Sequence, residues 1–175
     1  MMIDKFDGAA RKIDKIICEV GFSALQAMFN SETKSPDRIA FEDQAGAAQA
    51  QMETMFRALP AAGSVVSRET EWGHHPEWAR LGLLRSHLRW VQGESRLCSH
   101  KPQAARPQPV AAFAWKPNFV ACARCSHRAT PPAGSVEHYT CDACGKVGED
   151  MVTDSALFLG PFMYTFGCCG TCAYW

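Results

Sequence analysis

Cys122-Ala123-Arg124-Cys125 and Cys141-Asp142-Ala143-Cys144 are two Cys-x-x-Cys pairs with fifteen residues between them. A Cys-x-x-Cys turn sets two thiolates on one side of a tight loop. Two such turns brought together by a short hairpin supply four soft donors at tetrahedral angles, and this spacing is one that zinc sites use. Cys122, Cys125, Cys141 and Cys144 are therefore the first expected ligand set. Four protein ligands leave no open coordination position, so this zinc would be structural rather than catalytic. A lone redox dithiol is a poorer match, because neither pair is flanked by a thioredoxin-like βαβ pattern.

A second site is expected from the remaining thiols. Cys169-Gly170-Thr171-Cys172 is a third Cys-x-x-Cys, and Cys98-Ser99-His100 offers a thiol and an imidazole two residues apart. Together Cys98, His100, Cys169 and Cys172 would make a Cys₃His site nested outside the first. The rival arrangement is a cross-brace, with Cys98 and His100 joined to Cys141 and Cys144, and Cys122 and Cys125 joined to Cys169 and Cys172. Sequence leaves both open, with nesting favoured because the fifteen-residue gap suits a local hairpin. Cys168, His127 and His138 are substitute ligands, and Cys18 reads as a core thiol on a helical face.

Residues 118–148 resemble the zinc ribbons: a strand or loop, a knuckle, a short hairpin, and a second knuckle ending Cys144-Gly145. The resemblance implies a small β-rich metal domain. Zinc ribbons occur in transcription factors, ribosomal proteins, RNA polymerase subunits, topoisomerases and enzyme accessory domains, so it implies little about which task this chain performs.

The elements that must position these residues read as two halves. Ile3, Phe6, Ala10, Ile13, Ile17, Val20 and Ala24 recur at alternating three- and four-residue steps, which predicts a helix within 3–29. Ser35-Pro36-Asp37 is a helix start, with a hydroxyl cap, a proline at the first position and an acid at the positive helix end. Phe41, Ala45, Ala48, Met52, Met55 and Leu59 continue it, and Pro60 and Gly63 close it. The two helices are expected to form an αα-hairpin. A third helix begins near His75-Pro76, buries Trp78, Leu81, Leu84, Leu88 and Val91, and stops at Gly93. Three prolines in 101–109 mark a connection. Strands are expected at Val110 to Trp115, Phe119 to Ala121, Val136 to Thr140, Ala156 to Leu159 and Phe162 to Phe166. The expected fold class is α+β, with a three-helix unit over 1–97 and a β-rich zinc domain over 98–175. Chelation is expected to unfold 98–175 and leave 1–93 helical.

Nine cysteines and no apolar signal core near Met1 point to a reducing, cytoplasmic setting, where thiols bind metal more often than they cross-link. No apolar run reaches the length of about 20 residues that a membrane span needs. Net charge is zero, but it is unevenly spread: −4 over residues 1–79, +8 over 80–128 and −4 over 129–175. The basic block, with Trp90, Phe113, Trp115 and Phe119 interspersed, is a candidate phosphate-binding footprint. Its candidate contacts are Arg85, Arg89, Arg96, Lys101, Arg106, Lys116, Arg124 and Arg128. The alternative is that these arginines pair with acids of the first two helices.

The favoured function is a non-enzymatic zinc-binding protein that contacts nucleic acid, a ribonucleoprotein or the transcription machinery. A protein–protein adaptor docking through helices 1 and 2 is the alternative. A metal-dependent hydrolase using His74, His75 and Glu77 ranks last, because two adjacent histidines diverge and no His-Glu-x-x-His helix is present. Phosphate-binding Gly-rich loops and the Gly-x-Ser-x-Gly elbow are absent from the sequence.

Overall fold

The structure, a computed structural model, describes residues 4–22, 24, 35–57, 72–148 and 153–173. Among these, four α-helices accompany a five-stranded mixed sheet. Helix α1 spans Asp7–Val20, α2 Pro36–Arg57, α3 Glu77–Val91 and the single-turn α4 Ala123–Ser126. The strands are β1 (Arg96–Leu97), β2 (Val110–Phe113), β3 (Phe119–Cys122), β4 (Thr153–Leu159) and β5 (Phe162–Cys168), in spatial order β1-β3-β2-β5-β4.

The first helix is shorter than its apolar stripe suggested. Gly21 adopts φ +77° and its N–H bonds Ile17 O at 2.8 Å, which ends α1 at Val20. Ala10 and Ile17 are buried, whereas Ile16 and Val20 lie outside the core. Ile3, Leu25, Met28 and Phe29 fall outside the described residues. Helix α2 starts as read: the Arg38 N–H donates to Ser35 Oγ at 3.3 Å. Ala48 and Met52 are its buried positions among the described side chains, while Phe41 is exposed; its expected stop at Pro60 and Gly63 is outside the described residues. Helix α3 begins after an extended Pro76 and closes before Gly93 at φ +73°.

Both β2 and β5 are buried along nearly their whole length, because helices cover both faces of the sheet. On one face Val110, Ala112, Val120, Phe162, Tyr164 and Phe166 pack with Ala10 and Ile17 of α1 and with Leu81, Leu83, Leu84 and Trp90 of α3. On the other, Ala111, Phe113, Ala121 and Met163 pack with Met52 of α2. The expected three-helix unit with a core of its own is therefore not seen. Helix α1 leans on α3, α2 contributes to the opposite face, and the core runs across residue 97. Gly82 is the point of closest approach between helix and sheet: a Cβ there would come within 2.5 Å of Tyr164 Oη, in a ring held by the core.

One strand expectation needs correction, and one strand is additional. The Val136 to Thr140 segment forms a 3₁₀ turn, Glu137–Tyr139, followed by an isolated bridge from Thr140 to Val147. Its hydroxyls explain why: Ser135 Oγ accepts from the His138 N–H at 3.3 Å, and Thr140 Oγ1 donates to Val136 O at 2.7 Å, so local bonds replace a ladder. The two-residue β1, too short to show periodicity, was not anticipated; it pairs in parallel with β3, placing Leu97 opposite Val120.

Asp14 is the buried charge of the helical layer. Arg80 grips it with Nε to Oδ1 at 2.8 Å and Nη2 to Oδ2 at 3.0 Å, and Trp72 Nε1 donates to Oδ1 at 2.7 Å. Burial alone would raise the Asp14 pKa; the Arg80 and Trp72 hydrogen bonds outweigh it and hold the carboxyl below its ordinary value. Replacing Asp14 by Ala leaves a buried guanidinium unpaired, which should cost about 3 kcal/mol, read from urea unfolding at neutral pH. A carboxyl with a depressed folded pKa contributes stability above its unfolded pKa and loses it as pH falls through the folded value. The wild-type advantage over Asp14→Ala should therefore persist at neutral pH and fade only below about pH 4. Equal unfolding midpoints at neutral pH would contradict this role.

Candidate metal centres

The eight sequence-predicted ligands gather into two groups, but neither the nested nor the cross-braced pairing is the one formed. Cys98, His100, Cys122 and Cys125 make the first group, and Cys141, Cys144, Cys169 and Cys172 the second. Within each group the ligand atoms all lie within 4.8 Å of one another. The knuckles Cys122/Cys125 and Cys141/Cys144, expected to share one ion, therefore belong to different centres.

The same backbone device builds both. Parallel pairing with β3 brings the end of β1 beside the end of β3, and the Cys98 N–H bonds Val120 O at 3.2 Å, two residues before Cys122. At the second centre the Asp142 N–H bonds Gly167 O at 2.9 Å, two residues before Cys169. Asp142 Oδ2 answers by accepting the Gly167 N–H at 2.7 Å. Each centre is thus a ligand pair, an antiparallel strand pair (β2/β3 or β4/β5), and a second ligand pair that begins where the later strand ends. The register puts the centres at opposite ends of the sheet. Cys122 lies opposite Val110, and Val110 opposite Phe162, whereas the second centre follows Cys168 at the far end of β5. Six residues of strand separate these levels by about 20 Å.

At the first centre His100 Nδ1 lies 3.2 Å from Cys125 Sγ and 3.5 Å from Cys122 Sγ, and the Cys122 N–H points at Cys98 Sγ at 3.4 Å. At the second, Cys144 Sγ and Cys169 Sγ are 4.0 Å apart. Soft sulfurs and one imidazole at these separations fit a four-coordinate ion. In each group one thiol is the easier to ionise. Burial raises the pKa of Cys98, yet backbone N–H groups of Cys122 and His100, aided by the neighbouring thiols, bring it down on balance. Burial likewise opposes ionisation of Cys141, but N–H groups of Cys169, Cys144 and Ala143 outweigh it and lower the thiol to about 6. The neighbours then resist a second charge. Burial, followed by the Cys122 and Cys98 thiols, raises Cys125; hydrogen bonds to Cys169 and Cys144, followed by burial, lift Cys172 to about 12.

The proposed substitutes take no part. Cys168 is fully buried on the face of the sheet that α1 and α3 cover, and burial followed by repulsion from Cys141 and Cys172 lifts its thiol to about 12. His127 is exposed, and the His138 ring stacks edge-on against Tyr139 at 5.1 Å. Cys18 is exposed on α1 rather than in the core. His74, His75 and Glu77 form no ligand group: among the described residues only the two cysteine-rich groups do, and Glu77 accepts from Arg11 Nη1 at 2.9 Å.

The basic block divides in two. Arg80, Arg85 and Arg89 of α3 are bound by Asp14, Asp7 and Asp4, the latter two contacts at 3.2 and 2.6 Å. Arg85 and Arg89 are therefore committed to holding α1 on α3. The other six candidates, Arg96, Lys101, Arg106, Lys116, Arg124 and Arg128, make no ion pair among the described residues. Lys116 Nζ sits over the Phe119 ring at 4.8 Å. Comparison with known protein families, curated proteins and solved structures finds no match to this chain. No helix among the described residues is long and apolar enough to cross a membrane.

Because one core joins α1 and α3 to the strands that carry the ligands, metal loss should be felt beyond residues 98–175. Chelation at neutral pH should expose the cysteines to alkylation and lower both the thermal midpoint and the helical signal, given that bound structural metal contributes on the order of 10 kcal/mol to small metal domains. Metal must displace protons from thiols such as Cys125 and Cys172, so apparent affinity should fall as pH falls and binding should release protons. Unchanged helicity and unchanged thiol protection after complete chelation would contradict the coupling.

Proposed function

We propose that the protein is a non-enzymatic zinc protein in which two structural zinc ions rigidify a basic surface that contacts nucleic acid. The donor chemistry supports zinc: seven thiols and one imidazole divide into a Cys₃His and a Cys₄ set, both familiar closed structural sites. A tetrahedron with zinc–sulfur bonds of about 2.3 Å has edges of about 3.8 Å, close to the separations seen between ligand atoms in each group. With four protein ligands per ion, neither site keeps a position for water or substrate.

The observation that carries the nucleic-acid reading is what remains of the basic block. From residue 95 to residue 136 the sequence holds six Lys/Arg and no Asp/Glu. This stretch wraps the first centre: Arg96 is on β1, Lys101 follows His100, Arg124 lies between two ligands, and Arg128 is in the turn beyond them. Three thiolates on a divalent ion leave a formal charge of only −1, so the surrounding cations dominate the local field. Arginine and lysine at such density suit phosphate oxygens, with sequence read weakly or not at all.

The test is binding of the zinc-loaded chain to labelled single-stranded and duplex oligonucleotides at stepped salt. Affinity should fall steeply with salt, and the double variant Arg124→Ala/Arg128→Ala should weaken binding across sequences while reducing the salt slope by about two. Absence of binding at low salt, or a slope unmoved by the double variant, would refute the proposal.

A further inference from the structure

The two centres differ in how their sulfurs meet solvent. At the first centre Cys98, Cys122 and Cys125 are 8, 8 and 4% exposed, and the exposed ligand is the His100 imidazole, which peroxides oxidise slowly. At the second centre only Cys141 is fully buried; Cys144 is exposed, and Cys169 and Cys172 are half-buried. Cys144 and Cys169 come from different knuckles, and their sulfurs are 4.0 Å apart. A disulfide needs about 2.05 Å, so a closure of roughly 2 Å between two turns would link them. The turns that carry them are open to solvent: Cys144, Gly145, Gly170 and Thr171 are all at the surface.

We propose that Cys144 and Cys169 form a hydroperoxide-sensitive pair, so that the second centre is a site of reversible oxidation while the first is not. The Cys144 thiolate attacks one oxygen of hydrogen peroxide; the O–O bond breaks, hydroxide leaves and takes a proton to become water, and Cys144 becomes a sulfenic acid. The Cys169 thiolate then attacks the Cys144 sulfur, the S–O bond breaks, and the second hydroxide leaves as water after taking a proton. Two sulfurs have lost two electrons to the peroxide, and a disulfide joins the knuckles. Cys141 and Cys172 remain as two donors, too few for a closed tetrahedral site. The first centre lacks an exposed sulfur with which to begin. Access and thiolate character together govern thiol oxidation, and access is what separates the two centres here.

The test uses the full chain, at low concentration, in a Cys18→Ser background, which removes the exposed thiol of α1 and with it any link between copies through that residue. Native mass spectrometry counts bound zinc before and after graded hydrogen peroxide, alkylation reports free thiols, and peptide mapping identifies linked cysteines. We expect a Cys144–Cys169 link, loss of one zinc of two, and oxidation of the first centre's thiols at least about tenfold more slowly. A thiol reductant with added zinc should restore the starting mass. Cys144→Ser should abolish the link and slow oxidation of Cys169. Because the mapping reads the thiols directly, it decides the matter whether or not the chain binds nucleic acid. A Cys169–Cys172 link instead, oxidation of both centres at equal rates, or first loss from the Cys98, Cys122 and Cys125 thiols would overturn the proposal.

Discussion

One backbone contact, used twice, organises the sheet and its ligands. An early ligand turn donates an N–H to the strand that runs into a later ligand turn, two residues before that turn begins: Cys98 to Val120 O, and Asp142 to Gly167 O. Backbone amides left unpaired inside a fold are costly, so each contact fixes which turn faces which. Once it is made, the four donors of each group need little rearrangement to meet an ion. The first of these contacts also continues the pairing of β1 with β3. In each half the later strand leads into a ligand pair, and the parallel pairing of β2 with β5 joins the halves into one sheet.

The donors themselves were legible in the sequence; their partition was not. Every residue of the two groups stands out as Cys-x-x-Cys or Cys-x-His, because metal knuckles are local and their spacing is printed in the chain. Choosing partners from the shortest gap failed for a physical reason. The segment between Cys125 and Cys141 does not form a hairpin; Ser135 and Thr140 hold it in a turn. The longer gaps, from His100 to Cys122 and from Cys144 to Cys169, each contain two apolar runs able to pair, and those runs are the strands that close the centres. Helix starts at Ser35 and Pro76 were readable from cap chemistry. Packing was less so. No local pattern marks Gly82 as the place where Tyr164 needs room, or Asp14 as the acid to which the fold brings Arg80 and Trp72.

Electrostatics distributes labour in the same way. Acids at the start of the chain neutralise the arginines of α3 and, in doing so, hold α1 against the sheet's helical layer. That pairing removes Arg80, Arg85 and Arg89 from any external role and sharpens the contrast with the acid-free stretch around the first centre. The protein is neutral as a whole, but its charge is separated in space: a paired helical layer, a basic first centre, and a second centre whose four thiolates would leave it formally −2 around a divalent ion. The centre within the basic stretch is also the one with buried sulfurs, so a phosphate-binding surface would rest on the better-protected of the two.

The account stands on the partition of eight donors into two separate groups. It is tested most directly by loading the chain with cadmium-113 and correlating each metal resonance with the protons of its ligands. One resonance should couple to Cys98, His100, Cys122 and Cys125, and the other to Cys141, Cys144, Cys169 and Cys172. A single ion coupled to both Cys122 and Cys141 would contradict it.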